Sequence, residues 1–152
     1  MGGYADTRLL AANRAVPLPS HISDTVAAAS MLRGITAHML LTRVARISPG
    51  DIILIHAAAG GLGLILSQWA RKLGASVIGT VGSPEKAALA KRFGLDHAVL
   101  YKESDFVREV LNITGGRGVD VAFDGIGGDV LLRTLDCVRP FGLVVSVGQA
   151  SG

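Results

Sequence analysis

Cysteine is almost absent: Cys137 is the single one in 152 residues. One thiol can form neither an internal disulfide nor a multi-cysteine zinc cage, which excludes disulfide-stapled scaffolds and structural zinc modules. His21, His38 and His97 share no spacing with one another or with Cys137 that would build a metal site, so none is expected. Aromatic residues make up only 5% of the chain, too few to interleave a basic surface with base-stacking rings. Long hydrophobic runs are missing as well. Gly, Arg, Asp or His interrupts each one well before the ~20 residues of a membrane span, and the N-terminus shows no basic region followed by an apolar signal core. The chain reads as soluble and cytoplasmic, with no membrane partner and no repeat or low-complexity tract.

What remains is a chain that is 49% hydrophobic, enough to bury one substantial core. The formal charge of +3 raises the question of a polyanion partner. The basic residues answer it by being scattered: Arg43, Arg46, Arg71, Lys72, Lys91, Arg92, Arg108, Arg117, Arg133 and Arg139 fall on polar faces or ends of expected helices. They read as solvated helix faces, and nucleic acid is not the expected partner.

From Asp51 onward, short apolar runs at 52–55, 76–80, 97–100, 119–123 and 143–147 alternate with helix-period segments at 61–73, 84–93, 104–114 and 129–138. Strand-helix alternation with strands apolar on both sides predicts a Rossmann-type, doubly wound α/β domain, a parallel sheet with helices on both faces. Ser83-Pro84 supplies a helix N-cap with proline in the first turn, and Gly74 and Gly94 stand where left-handed C-terminal caps belong. The first fifty residues differ. Segments 4–10 and 14–18 read as extended pieces, 23–29 and 32–44 as helices, and Pro49-Gly50-Asp51 as the turn launching the first strand.

The stretch HAAAGGLG, residues 56–63, follows a strand and opens a helix, and it nearly spells the G-x-G-x-x-G of dinucleotide turns. Gly60 and Gly63 fill the second and third glycine roles, close approach to pyrophosphate and helix–strand packing, while Ala58 stands at the first. Alanine is tolerated there if its φ stays negative. The amides of Gly61 and Leu62 then point from a helix N-terminus at a bound anion. Sites for NAD place a carboxylate at the end of the second strand to hold the ribose 2′-hydroxyl. Here the sequence reads Gly79-Thr80-Val81-Gly82-Ser83-Pro84-Glu85-Lys86, with no carboxylate at the strand end. Gly82, Ser83 and Lys86 suit a 2′-phosphate, which favours NADPH over NADH; a solvated Lys86 beside a dipole-matching Glu85 is the alternative. Asp120 and Asp124 read as strand-end carboxylates satisfying loop amides, His56 as a hydrogen-bonded core histidine, and Cys137 as a buried, inert thiol. No side chain is singled out as catalytic.

Taken in order, Gly34-Ile35-Thr36-Ala37, Pro49-Gly50-Asp51, HAAAGGLG, IGTVGSPEK, ITGGRGVDV, FDGIGGD and LDCVRPFGLVVSVGQASG closely resemble the quinone oxidoreductase (zeta-crystallin-like) branch of the zinc-independent medium-chain dehydrogenase/reductase superfamily. The resemblance implies NADPH as cofactor and hydride transfer to a quinone or enone substrate. It also implies a homodimer in the full-length protein. In domain terms it makes residues 1–20 the tail of a GroES-like catalytic domain, and 21–152 a Rossmann domain shortened at its C-terminal end. Carried over by residue, it puts Gly61 and Leu62 on the pyrophosphate, Ser83 and Lys86 on the 2′-phosphate with Tyr101 beside it, and Ile126 near the adenine ribose. Gly148 and Gln149 lead toward the nicotinamide, bordered by Thr36 and Met39. Two alternatives stay open: an enoyl reductase of the same superfamily, and a nucleotide- or nucleic-acid-binding module without enzymatic activity.

Overall fold

The computed structural model describes residues 4–151, which fall into two compact units, one up to Leu32 and one from Arg33 onward. In the first unit, residues 12–14 form a short 3₁₀ turn and no strand occurs among residues 4–18. The extended pieces expected there belong to no sheet. Where two helices were expected, helix α1 runs unbroken over Asp24–Met39 and continues as a π-type turn through Leu40–Val44. No proline interrupts it, and the Ser30 hydroxyl donates back to the Val26 carbonyl at 2.6 Å instead of competing with the helix.

The second unit alternates strand and helix: β1 (Ile52–Ile55), α2 (Gly61–Lys72), β2 (Ser76–Val81), α3 (Pro84–Arg92), β3 (His97–Leu100), α4 (Phe106–Ile113), β4 (Val119–Asp124), α5 (Gly128–Thr134) and β5 (Val138–Ser146). All pairings are parallel, in the order β3-β2-β1-β4-β5. The expected doubly wound sheet is what forms. Alternate residues of β1 feed opposite faces. Ile53 and Ile55 join Leu41, Leu66, Val77, Val81 and Phe123 on one side, and Leu54 joins Ile78, Phe106, Val110 and Val119 on the other. Ser83 caps α3, and Gly74 and Gly94 take φ of +88° and +95° where α2 and α3 end.

The boundaries differ most around β5. Helix α5 stops at Thr134, a 3₁₀ turn takes Leu135–Cys137, and Val138 already pairs with Val119. Two positions along β4, Val121 faces Leu143, so the chain bulges out over residues 139–142. Phe141 sits at φ +63° in that bulge, fully exposed. At the same end of the sheet, Asp120 is clamped: its carboxylate accepts the Ile52 amide at 2.8 Å, Arg117 at 2.5 and 3.1 Å, and Arg139 at 2.6 Å. Burial pushes its pKa up, but these donors outweigh burial and bring it to about 2.

At the opposite end, His56 lies under the turn that follows β1, 6% exposed. The Thr134 hydroxyl donates to the Val130 carbonyl at 2.6 Å, so it can only accept from His56 Nε2 at 2.8 Å. Nε2 therefore carries the proton. Nδ1 accepts from the Thr80 hydroxyl at 3.0 Å, and that oxygen accepts the Ala57 amide at 3.3 Å. The neutral ring thus ties β1 to β2 and α5 and fixes Ala57, whose φ is +51°. Burial lowers the His56 pKa to about 4, partly opposed by the Asp124 charge.

Replacing Phe141 by glycine relieves a left-handed side chain without removing packing, and is expected to stabilise the fold by about 0.5–1 kcal/mol in thermal or urea unfolding. A loss of stability would show that the ring contributes packing despite its exposure. His56 makes a pH prediction. Its folded pKa lies below the unfolded 6.5, so its contribution is complete above pH 6.5 and is lost as pH falls to about 4. The loss amounts to at most about 3 kcal/mol. Urea titrations across this window should show that component in the wild type and not in His56→Gln; equal slopes would mean that the ring charges freely.

Candidate active site: a dinucleotide cleft

The connection out of β1 turns toward β2 while β4 lies on its other side, so the crevice over the C-terminal ends of β1 and β4 is the topological switch point of the sheet. A cleft of about 360 Å³ opens there, lined by Ile55, Gly60, Gly61, Leu62, Phe123 and Gly148 among others. A second recess of about 210 Å³ adjoins it, sharing His56, Ala57 and Ile126, and is walled by Thr80, Tyr101, Phe106, Val130 and Arg133.

The glycine turn is built for close approach. A Cβ on Gly63 would stand 2.6 Å from the Ala57 carbonyl and 2.7 Å from the Ala58 backbone, so only glycine lets α2 pack so near the turn. On Gly60 it would lie 3.0 Å from the same carbonyl. Gly60 offers α2 no side-chain cap, and the first-turn amides of Gly61, Leu62 and Gly63, without intrahelical acceptors, border the cleft. Ala58 keeps a negative φ; the left-handed residue is Ala57, one position earlier. The room that Ala58 needs comes from β2, where a Cβ on Gly79 would collide with the Ala58 methyl. The space beside Gly61 is filled by the Arg33 side chain, 2.5 Å from where a Cβ would stand.

At the end of β2, Gly82 lies against Tyr101: a Cβ there would be 3.2 Å from the phenol oxygen. Tyr101 is half exposed and walls the smaller recess. The Ser83 oxygen accepts the Lys86 amide at 3.4 Å, while its hydroxyl, bonded to Glu85, holds that exposed carboxyl below the usual range. Lys86 is exposed in the first turn of α3.

Ile126 borders both spaces, held by the Asp124 carboxylate, which accepts the Ile126 amide at 3.0 Å and the Gly127 amide at 2.9 Å. The loop after β5 meets it, with the Ala150 amide on the Gly125 carbonyl at 3.1 Å and the Ser151 amide on the Ile126 carbonyl at 2.9 Å. Gly148 lines the cleft, whereas Gln149 packs against Gly127 outside its wall. Thr36 is half-buried and Met39 exposed on α1, and neither lines either space.

Several residues of this site carry no obvious mark in the sequence. Phe106, Val130 and Arg133 wall the recess from α4 and α5, with Arg133 5.0 Å above the Phe106 ring and His56 edge-on to it. Gly79 did carry a signal, since a glycine inside a strand marks a close approach. Asp120 sits at the far end of β4 and has no part in the cleft. Cys137 is buried, its thiol pushed up to about 11 by burial and the neighbouring Asp136.

A dinucleotide phosphate fits these residues: the cleft is lined by the backbone of Gly60, Gly61 and Gly63 at the start of α2, with the Arg33 guanidinium beside Gly61, and the β2 end is free of carboxylate. A zinc ion does not, since no three His, Cys, Asp or Glu side chains gather as a site among the described residues. The zinc-binding dehydrogenase profile matches residues 61–152. Over the whole chain, 2-haloacrylate reductase from a Burkholderia species is 47% identical and quinone oxidoreductase 1 from Escherichia coli K12 is 45% identical. The chain spans about half the length of these curated relatives, 46% of each. The crystal structure of the E. coli quinone oxidoreductase complexed with NADPH superposes with a TM-score of 0.87 at 47% identity, over 90% of this chain and 42% of that one. The Pseudomonas syringae pv. tomato quinone oxidoreductase gives 0.87 at 50% identity with the same coverage. The turn, the carboxylate-free strand end and these likenesses lead to one conclusion: the chain belongs to the zinc-binding dehydrogenase family, in its quinone oxidoreductase branch.

Proposed function

We propose that the chain is the NADPH-binding part of an NADPH-dependent oxidoreductase that reduces a quinone or an activated alkene. The observation that carries the proposal is the pairing of a glycine-lined cleft at the start of α2 with a β2 end that lacks an acid and has Lys86 after it and Tyr101 of the neighbouring strand end against Gly82. Relatives named for quinone reduction and for reduction of 2-haloacrylate, an activated alkene, support the acceptor class. In this reading the first-turn amides of α2 take the pyrophosphate, Ser83 and Lys86 the 2′-phosphate, and the recess between Tyr101, Ile126 and Arg133 the adenosine. Gly148 and Gln149 lead to the nicotinamide end, where Thr36 and Met39 of α1 border the ring.

The bound cofactor supplies the hydride, and the chain supplies orientation. Its residues hold the phosphates, and the apolar wall of Ile55, Leu66, Phe123 and Val147 lines the cleft beside them. No side chain of this chain is assigned as an acid or base. The acceptor's other wall is assigned to a GroES-like domain of which residues 1–20 are the tail, with residues 21–152 as the shortened Rossmann domain. The whole protein is read as a cytoplasmic homodimer; no helix among the described residues is long and apolar enough to cross a membrane.

Calorimetric titration with both cofactors tests the assignment. Lys86→Ala should weaken NADPH by about 1.5–3 kcal/mol and leave NADH unchanged; equal losses would remove Lys86 from the phosphate site. Gly61→Val, which fills the approach to the pyrophosphate and displaces Arg33, should abolish binding of both cofactors with an unchanged far-UV spectrum. Retained binding would make the turn purely structural. With NADPH and 1,4-benzoquinone, the 152 residues alone should oxidise NADPH no faster than the buffer does, because the wall that aligns the acceptor is assigned elsewhere. Rapid turnover would place the whole acceptor site inside this chain.

A further inference from the structure

The sequence assigns one cation, Lys86, to the end of β2, and the fold brings a second. Parallel pairing sets Val81 of β2 beside Leu100 of β3, so the residues that leave the two strands, Gly82 on one and Tyr101 and Lys102 on the other, emerge side by side. Glycine at 82 lets them close. A Cβ there would lie 3.2 Å from Tyr101 Oη and 3.6 Å from Lys102 Cε, one bond short of the ammonium nitrogen. The Lys102 side chain therefore lies against Gly82, and Lys86 follows in the first turn of α3.

Both lysines are exposed, and no ion pair joins either to a carboxylate among the described residues. Glu85, the nearest acid in sequence to the turn, is engaged by the Ser83 hydroxyl. Two cations about one turn repel each other, and Lys86 also faces the positive end of the α3 dipole. A doubly charged anion between them offsets both penalties at once. A ribose 2′-hydroxyl, being neutral, offsets neither.

We infer that Lys102 is a second ligand of the NADPH 2′-phosphate and shares with Lys86 the discrimination against NADH. This rests on the reading above, in which the Gly82-Ser83 turn holds that phosphate. Tyr101 and Lys102 then divide the work at the end of β3. The phenol packs on Gly82 and fixes where the backbone turns, and the flexible lysine supplies charge.

The test titrates the chain, its Lys102→Gln and Lys102→Arg variants and Lys86→Ala with NADPH and NADH by fluorescence. Calorimetry with 2′,5′-ADP and 5′-ADP isolates the phosphate from the nicotinamide. Because the site is exposed, Lys102→Gln should weaken NADPH and 2′,5′-ADP by about three- to tenfold, leave NADH and 5′-ADP within about twofold, and flatten the salt dependence of NADPH binding. Lys102→Arg, which keeps the charge, should retain most of the NADPH affinity. A Lys102→Gln variant that binds both cofactors as the wild type does, or loses both equally, overturns the assignment, while a selective Lys86→Ala loss leaves the 2′-phosphate site itself standing. A wild type without preference for NADPH, together with a silent Lys86→Ala, overturns the 2′-phosphate site and Lys102 with it.

Discussion

The constraint on which the rest of the domain depends is the seat of α2 on the turn that leaves β1. There is no space for even one carbon between Gly63 and the Ala57-Ala58 backbone, and this fixes where the helix begins. Because the helix begins there, its unsatisfied amides face the crevice at the switch point and not bulk solvent. A helix placed a few ångströms further out would still cover the sheet, and its N-terminus would no longer reach a pyrophosphate lying across β1 and β4. On the proposed reading, packing and binding are the same requirement, met by the same missing side chain.

The two ends of the sheet are held by different chemistry. At the strand N-termini, Asp120 gathers two arginines and an amide into a charged clamp whose members are partly open to water. At the C-termini, beneath the cleft, the tie is a neutral chain of hydroxyl, imidazole and hydroxyl, buried and with no counter-charge in direct contact. A formal charge under the phosphate turn would add to or subtract from the field that the ligand meets; a neutral imidazole holds Ala57 in its unusual conformation without doing either. The low pKa of His56 keeps it so at neutral pH.

Periodicity made the alternating elements of the second unit readable, because each strand is short and apolar and each helix is punctuated by a cap. Strand β1 and the caps at Ser83, Gly74 and Gly94 stand where the pattern put them. The pattern failed where the signal is tertiary. Val138 reads as the end of a helix until its pairing with Val119 is known, and Ser30 reads as a break until its hydroxyl is seen to bond within the helix. The same division holds for the cleft. The glycine turn and Gly82 are local motifs, whereas Phe106, Val130 and Arg133 come from helices whose facing depends on the completed sheet. The role inferred for Lys102 depends on β3 lying beside β2, a neighbour relation that no run of sequence contains.

Ala58, in the turn after β1, and Gly79, on β2, meet closely: a Cβ at 79 would collide with the Ala58 methyl and lie 2.6 Å from Leu95 Cδ1. The bend does not demand glycine at 58, since that residue keeps an ordinary φ; its methyl, together with Leu95, demands glycine at 79. A side chain on this strand residue would therefore press on the glycine turn through Ala58 and on the core through Leu95 at the same time, so the shape of the turn is set in part from the neighbouring strand.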